Sequence, residues 1–382
     1  MKDKVVVAIG SDHYNTLWLV RSLGMAGFYP IALIISEHNI SFVGSSTYCK
    51  ECHIVQNISS AIECLMSLNI KERVPVIASS DSAARLLDSY YDLLSSKYIL
   101  HDCEGKAGRI TYWMNKENML KMAEECGLSV PISISINTDS FEILSEIPYP
   151  CLVKPKISAL SSKNCFRICN DKEDLIKSIK EIRHECKEVI IQELIQKDYE
   201  FLIYGTRTID DEIVIPGGLR KVHICNSLNN MGMMSLAYCT DEIPIQLNNL
   251  DNIKAFLKKL DYHGVFSIEF MITKDKAYFL EINLRNDGTV YCTTQAGVNI
   301  PYLWSASVYG LDMKNIPRVY KRSRTYGMNE PNYLKYALKS QSIFQTVKEI
   351  IKVDAFSLIK ANDMKPLFAK IFPSIFAYRK RL

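Results

Sequence analysis

The chain has 382 residues, 48% of them apolar, and 46 Lys and Arg stand against 42 Asp and Glu. That composition excludes disorder as the main state, and at roughly 100 to 200 residues per domain it predicts two or three domains, the scale of a multidomain enzyme. The net charge of +4 says little about partners, but it is unevenly spread: residues 311–382 hold 15 basic and 5 acidic side chains, residues 1–310 hold 31 and 37.

Lys4 to Ile9 is a β-branched run leading to Gly10. Leu17, Leu19, Val20, Leu23 and Met25 follow at helical spacing, then Gly27 and a strand from Ile31 to Ile35. A further unit has Val74–Ala78 as strand and Ser79 or Ser80 capping a helix through Ala83, Leu86, Leu87 and Tyr91. Strands alternating with helices imply a parallel sheet. Gly10 stands alone before Ser11, Asp12 and His13, so the dinucleotide fingerprint G-x-G-x-x-G is absent. Cys49, Cys52 and His53 have the C-x-x-C-H spacing of a haem attachment site, a chemistry that needs export. The apolar stretch at the N-terminus is too short for a signal peptide, and no run approaches the roughly 18 to 20 apolar residues of a membrane span. The expectation is a reducing cytoplasm, with the C-x-x-C-H spacing a coincidence on a strand.

From Asn115, the segment NKENMLKMAEECG reads as a helix capped by Asn115 and ended by Gly127. Short strands are expected at Pro150–Lys154, Phe166–Cys169 and Val189–Gln192, with a polar helix near Asp171–Cys186. The last 70 or so residues read as helix with irregular linkers. No internal repeat is found.

Gly264 to Arg285 carries the most chemistry. FSIEFMI, the turn Thr273–Lys276 and AYFLEINLR read as a hairpin. Alternation turns Phe266, Ile268, Phe270 and Ile272 to one face with Tyr278, Leu280, Ile282 and Leu284, and turns Ser267, Glu269, Glu281, Asn283 and Arg285 to the other. A turn centred on Asp275 sets Glu269 opposite Glu281. Opposed like charges are destabilising unless something neutralises them, and two carboxylates with an amide suit Mg²⁺ or Mn²⁺ completed by water and phosphate oxygens. Arg285 on the same face can meet a phosphate bidentately. The alternative is an exposed face whose charges only solubilise it, although such faces usually mix signs.

Elsewhere Lys116 opens a helix, Lys154 ends the strand CLVKP, and Gln192, Glu193 and Leu194 end VIIQEL with Glu200 shortly after. In that order, with Glu269 and the run Glu281-x-Asn283-x-Arg285, these residues resemble the ATP-grasp superfamily, and within it the carboxylate-amine ligases of the D-aspartate ligase and carbamoyl-phosphate-synthetase-like type. The resemblance covers residues 105–310 well, 1–105 loosely and 311–382 not at all. It implies a mixed α/β and α+β fold: a parallel α/β pre-ATP-grasp domain (1–105), a small or lid lobe (106–190), a large lobe with the metal hairpin (191–310) and a basic, mainly helical C-terminal segment (311–382).

The resemblance further implies that Lys116 and Lys154 contact the α- and β-phosphates of ATP, that Glu193 and Leu194 present backbone to adenine beside Gln192, and that Glu200 holds the ribose. It assigns Glu269, Glu281 and Asn283 to Mg²⁺ and Arg285 to the γ-phosphate. One of Arg220, Lys221 and His223 would add a cation at the reacting phosphate. The loop 286–299, with Gly288, Thr289 and Gly297, would help form the acceptor pocket. The family's glycine-rich lid reads here ISALSSKNC, with no glycine, so Ser158, Ser161 and Ser162 would have to supply hydroxyls.

The expected activity is ATP-dependent ligation of a small carboxylate to an amine through an acyl phosphate. Two other readings remain: a kinase or carbamate-phosphate former on the same fold, and an ATP-binding sensor with little turnover. No nucleic-acid motif accompanies the dispersed basic residues, and a homodimer is compatible with the family. The basic tail, mixing Phe, Ile and Leu with Lys and Arg, reads either as packing on the protein's own acidic body, which is favoured, or as a peripheral contact with membrane or a lipid-linked substrate.

Overall fold

The computed structural model describes residues 4–140, 147–156, 165–224, 234–247 and 250–379. The first third forms β1 (Val5–Gly10), β2 (Tyr29–Ile35), β3 (Ile40–Ser41), β4 (Glu51–Val55), β5 (Val74–Ala78), β6 (Tyr98–Leu100) and β7 (Asp102–Cys103). Five of them make a parallel sheet in the order β4-β2-β1-β5-β6. A parallel sheet covered on both faces needs unbroken apolar strands, and Val6, Val7, Ala8 and Ile9 are fully buried. Helix Tyr14–Met25 places Leu17, Val20 and Leu23 in one apolar cluster with Val6, Ala8 and Ile34. Of the two serines expected to cap the next helix, Ser80 does so, its Oγ accepting from the Ala83 N–H at 3.2 Å. Ser79 instead turns inward, its hydroxyl 2.8 Å from that of Thr16.

The Asn115 side chain caps helix Lys116–Glu125, accepting from the Glu117 N–H at 3.0 Å, and Gly127 beyond its end takes φ +79°. A small antiparallel sheet follows, from β8 (Ser133–Asn137), β9 (Cys151–Pro155), β10 (Arg167–Cys169) and β11 (Glu188–Glu193), in the order β10-β9-β11-β8. Helix Lys172–Ile182, capped by Asp171, covers it with Leu175, Ile179 and Ile182, and this lobe has its own core.

The third layer contains β12 (Tyr199–Arg207), β13 (Ile213–Ile224), β14 (Met234–Thr240), β15 (Tyr262–Ile272), β16 (Ala277–Asn283), β17 (Thr325–Met328) and β18 (Val353–Phe356). They pair in the order β16-β15-β12-β13-β14-β17-β18, with β7 added to β15. One core runs from Val7 and Leu33 through Trp113 and Met119 to Phe266, Phe270 and Phe279, so the N-terminal sheet and this large sheet share an interior.

The C-terminal segment is mainly helical, but it also supplies β17 and β18, and its end pairs as β19 (Tyr378–Arg379) with β3. The expectation of helix and irregular linkers missed these strands because TYGM and VDAF are too short to show a period of two. The segment docks on the body of the protein. Arg21 and Asp363 form a fully buried ion pair at 2.8 Å, and Arg21 also donates to the carbonyls of Ser357 and Leu358. The segment 286–299, expected as loop, contains helix Val290–Gln295.

Candidate active site

The hairpin forms as β15 and β16, closed by a hydrogen bond from the Thr273 N–H to the Lys276 carbonyl at 2.9 Å. Beside the turn, Ile272 faces Ala277 and Phe270 faces Phe279. A bulge at Leu280 then advances the register by one, and Glu269 faces Glu281, Ile268 faces Ile282 and Ser267 faces Asn283. The expected partners are therefore found, but not through a turn centred on Asp275: the bulge supplies the missing residue. It also corrects the apolar face. Phe279, fully buried with its ring 5.3 Å from that of Phe256, joins Ile282 and Leu284 in the core, the place expected for Tyr278 and Leu280. An extra residue in one strand reverses the alternation on either side of it.

On the ionic face, Asn283 Nδ2 donates to Ser267 Oγ at 3.2 Å and to Glu269 Oε1 at 3.4 Å, while Arg285 Nη2 donates to Asn283 Oδ1 at 3.0 Å. Arg285 Nε donates to Asp81 Oδ1 at 2.5 Å, and Nη1 lies 3.6 Å from Asp287. Burial opposes the charge on Arg285, but Asp81 and Asp287 outweigh it and hold the guanidinium protonated. Glu269 is raised well above the usual carboxylate range, by burial first, with Glu281 and Asp287 adding to it against Lys221.

Three cations were candidates on β13, and the structure brings one of them to the carboxylates. Lys221 Nζ lies 2.6 Å from Glu200 and 3.3 Å from Glu269. Burial alone would strip its proton, yet Glu269 and Glu200 raise its pKa above the ordinary lysine value. Arg220, next in the strand, is exposed and stacks on Tyr199 at 3.9 Å. His223 stacks on Tyr336 of the C-terminal segment, ring centroids 4.3 Å apart, with Nε2 3.1 Å from Glu349. Glu200 is held by Lys221 and by Lys197, which keep its carboxyl below the usual range although burial acts the other way.

Lys116 and Lys154 are both buried. Lys116 Nζ lies 3.7 Å from Glu281. Lys154 donates to the neutral Gln192 Oε1 at 2.8 Å, and Gln192 passes the bond on to Ser133. Burial, and then the charge of Lys116, lower the pKa of Lys154 to about 7. The Glu193 and Leu194 N–H groups already donate to the carbonyls of Ile132 and Pro150, at 2.8 and 3.2 Å, so any base read by them must displace those bonds. Ser158, Ser161 and Ser162 lie outside the described residues.

Two cavities adjoin the carboxylate pair. One, about 210 Å³, is lined by Lys116, Asp81, Glu269, Glu281, Asn283 and Arg285. The other, about 350 Å³, reaches from Glu269, Glu281, Lys221 and Arg285 to the start of the first helix at His13, Tyr14 and Asn15, and includes Gly288 and Thr289. Gly297 does not line this cavity; it takes φ +105°, and a Cβ there would meet the Lys321 side chain. The sequence reading missed Asp81, Asp287 and Lys197. Asp287 stands two residues after Arg285 and Lys197 three before Glu200, so both had a local signal, whereas Asp81 lies some 200 residues from its partner.

Residues 121–299 match the family model of the ATP-grasp domain. Those residues are an ATP-grasp domain. The chain is 29% identical over 201 residues to the formate-dependent phosphoribosylglycinamide formyltransferase of Nitratiruptor, a match covering 48% of this chain and 47% of that one. It is 23% identical over 250 residues to the C-terminal section of the carbamoyl phosphate synthase large chain of Aquifex aeolicus, covering 62% and 44%. The chain thus spans about half the length of the first curated relatives it matches. Among solved structures, N5-carboxyaminoimidazole synthetase from Staphylococcus aureus complexed with ADP shares the fold at TM-score 0.66 and 15% identity, covering 88% of this chain and 87% of that one. L-amino acid ligase from Bacillus licheniformis shares it at TM-score 0.62 and 14% identity, covering 83% and 78%.

Proposed function

We propose that this protein joins the carboxylate of one small molecule to the amine of another at the expense of ATP, through an acyl phosphate, releasing ADP and phosphate. The observation that carries the reading is the facing pair Glu269 and Glu281 on a half-buried sheet surface, with Asn283 beside them and Lys116, Lys154, Lys221 and Arg285 around. Hard oxygen donors in this arrangement fit Mg²⁺ or Mn²⁺, and a divalent cation would offset both the burial of Glu269 and its repulsion by Glu281, which together raise its pKa. Asn283 would ligate through the oxygen that Arg285 now occupies.

A bound Mg²⁺ would neutralise phosphate oxygens and polarise the transferring phosphoryl group. Lys154 and Lys116 would hold the α- and β-phosphates from the small-lobe side, and Lys221 and Arg285 would face the charge that develops at the γ-phosphate. Phosphoryl transfer depends on positioning and electrostatics more than on covalent help from the protein, in keeping with a site built of fixed cations and carboxylates. The cavity at His13, Tyr14, Asn15 and Asp287 would seat the acceptor. The amine then attacks the acyl carbon, the C–N bond forms, and phosphate leaves with the C–O bond electrons.

The test is ADP release across a panel of acids and amines. Ligation requires both, and hydroxylamine should replace the amine and trap the activated acid as a hydroxamate. ADP formation that needs no amine, with a stable phosphorylated acid as product, would reassign the protein as a kinase. Glu281→Gln and Asn283→Ala variants with undiminished ADP formation would overturn the metal assignment.

A further inference from the structure

Helix Ile343–Ile350 is turned inside out. Its polar residues Gln345 and Glu349 face the protein: Glu349 accepts from Tyr333 Oη at 2.7 Å and from Gln341 Nε2 at 3.1 Å, and lies 3.1 Å from His223 Nε2. Ile350 packs on the body beside them, and the other apolar residues face solvent. Ile343, Phe344, Val347 and Ile351 are 85, 78, 49 and 78% exposed. At about 100° per residue those four positions fall within an arc of about 100°. The preceding helix, Glu330–Ser340, buries Tyr333 and Ala337 and exposes Leu334 and Leu338, one turn apart, at 51 and 87%. A single exposed leucine is ordinary. A stripe carried over two consecutive helices, with the polar side chains used to hold it outward, marks a docking surface.

The charges beside the stripe select its partner. Lys335, Lys339 and Lys348 are exposed beside it, whereas Lys352 turns back to line the cavity at Glu200 and Lys221. The two acids of these helices are turned away: Glu330 accepts from the Ser357 and Leu358 N–H groups at 2.7 and 2.8 Å, and Glu349 faces His223 and Tyr333. A second copy docked through the same face would set lysines near lysines, which like-charge repulsion disfavours. A surface apolar in depth and anionic at its rim meets both features, because lysine stems can lie along apolar ground while their ammonium groups reach the rim. Among the described residues, no helix is long and apolar enough to cross a membrane, so the contact is peripheral.

We propose that helices Glu330–Ser340 and Ile343–Ile350 seat the protein on an anionic lipid bilayer, with the apolar stripe in the interfacial layer and Lys335, Lys339 and Lys348 at the headgroups. This does not depend on the ligase reading. The full chain should cosediment with vesicles containing about a third phosphatidylserine, not with pure phosphatidylcholine, and should be released by salt. The double variant Phe344→Ser, Ile351→Ser should lower the bound fraction about tenfold or more at an unchanged melting temperature. Lys339→Glu with Lys348→Glu should remove the preference for phosphatidylserine. Equal binding to neutral vesicles, or none to either, overturns the proposal. A concentration-dependent dimer in sedimentation velocity that Phe344→Ser dissolves also overturns it, and gives the stripe to self-association.

Discussion

The two walls of the candidate site are charged in opposite ways. On the small-lobe wall, Lys154 is buried against a neutral amide with another lysine nearby, and its pKa falls to about 7. On the large-lobe wall, Lys221 lies between Glu200 and Glu269 and stays protonated, while Glu269, pressed by burial and by Glu281, is raised. One wall is short of an anion and the other of a cation. Lys221 and Glu200 already balance each other within one wall, and buried charge short of its counter-charge is where a ligand completes the structure. A metal–triphosphate between the walls would satisfy both.

If that contrast is right, the largest effect comes from neutralising the cation-poor wall. Glu269→Gln with Glu281→Gln should lower ADP release by about a thousandfold, close to 4 kcal/mol of barrier, while the melting temperature holds or rises because opposed charges are removed. A melting temperature that falls steeply would show the carboxylates to be structural. Next, Lys221→Met should cost about a hundredfold, whereas Arg220→Met and His223→Gln should stay within about threefold in the same assay. Equal losses at all three positions would mean that the strand tolerates no change, not that Lys221 is special.

The anion-poor wall predicts a pH dependence. Lys154 is protonated below about pH 7 in the free protein, so metal-free ATP affinity should fall by up to about tenfold per unit above that pH. Lys154→Arg should flatten the profile, which calorimetry from pH 6 to 9 would measure. The same depressed pKa has a sign for stability. Between about pH 7 and the ordinary lysine value, the unfolded chain holds a proton that the folded protein lacks, so this group makes the ligand-free protein more stable as pH rises. The smallest effect should come from Leu280→Ala, about 1 kcal/mol or less in denaturant, because the bulge takes Leu280 out of the core.

The parallel opening, the Asn115 cap and the existence of the hairpin were legible because each is local: a period of two or 3.6, a cap, a turn. The bulge at Leu280 was not, since a strand with one extra residue reads the same as one without until its partner is in place. The strands β17 and β18 were too short to show a period, and they form because the edge of β14 is there to receive β17.

From residue order came the kinds of group available to the site, and the presence of two carboxylates on the two strands of one hairpin. Folding chose among them. Arg220, Lys221 and His223 sit side by side in the chain, yet the first stacks on Tyr199, the last is held by Glu349 from the far end of the chain, and only Lys221 reaches Glu269. The lowered pKa of Lys154 likewise comes from burial and from Lys116, nearly forty residues away. Burial and charge proximity are sums over all neighbours in space, and a linear pattern holds only those along the chain.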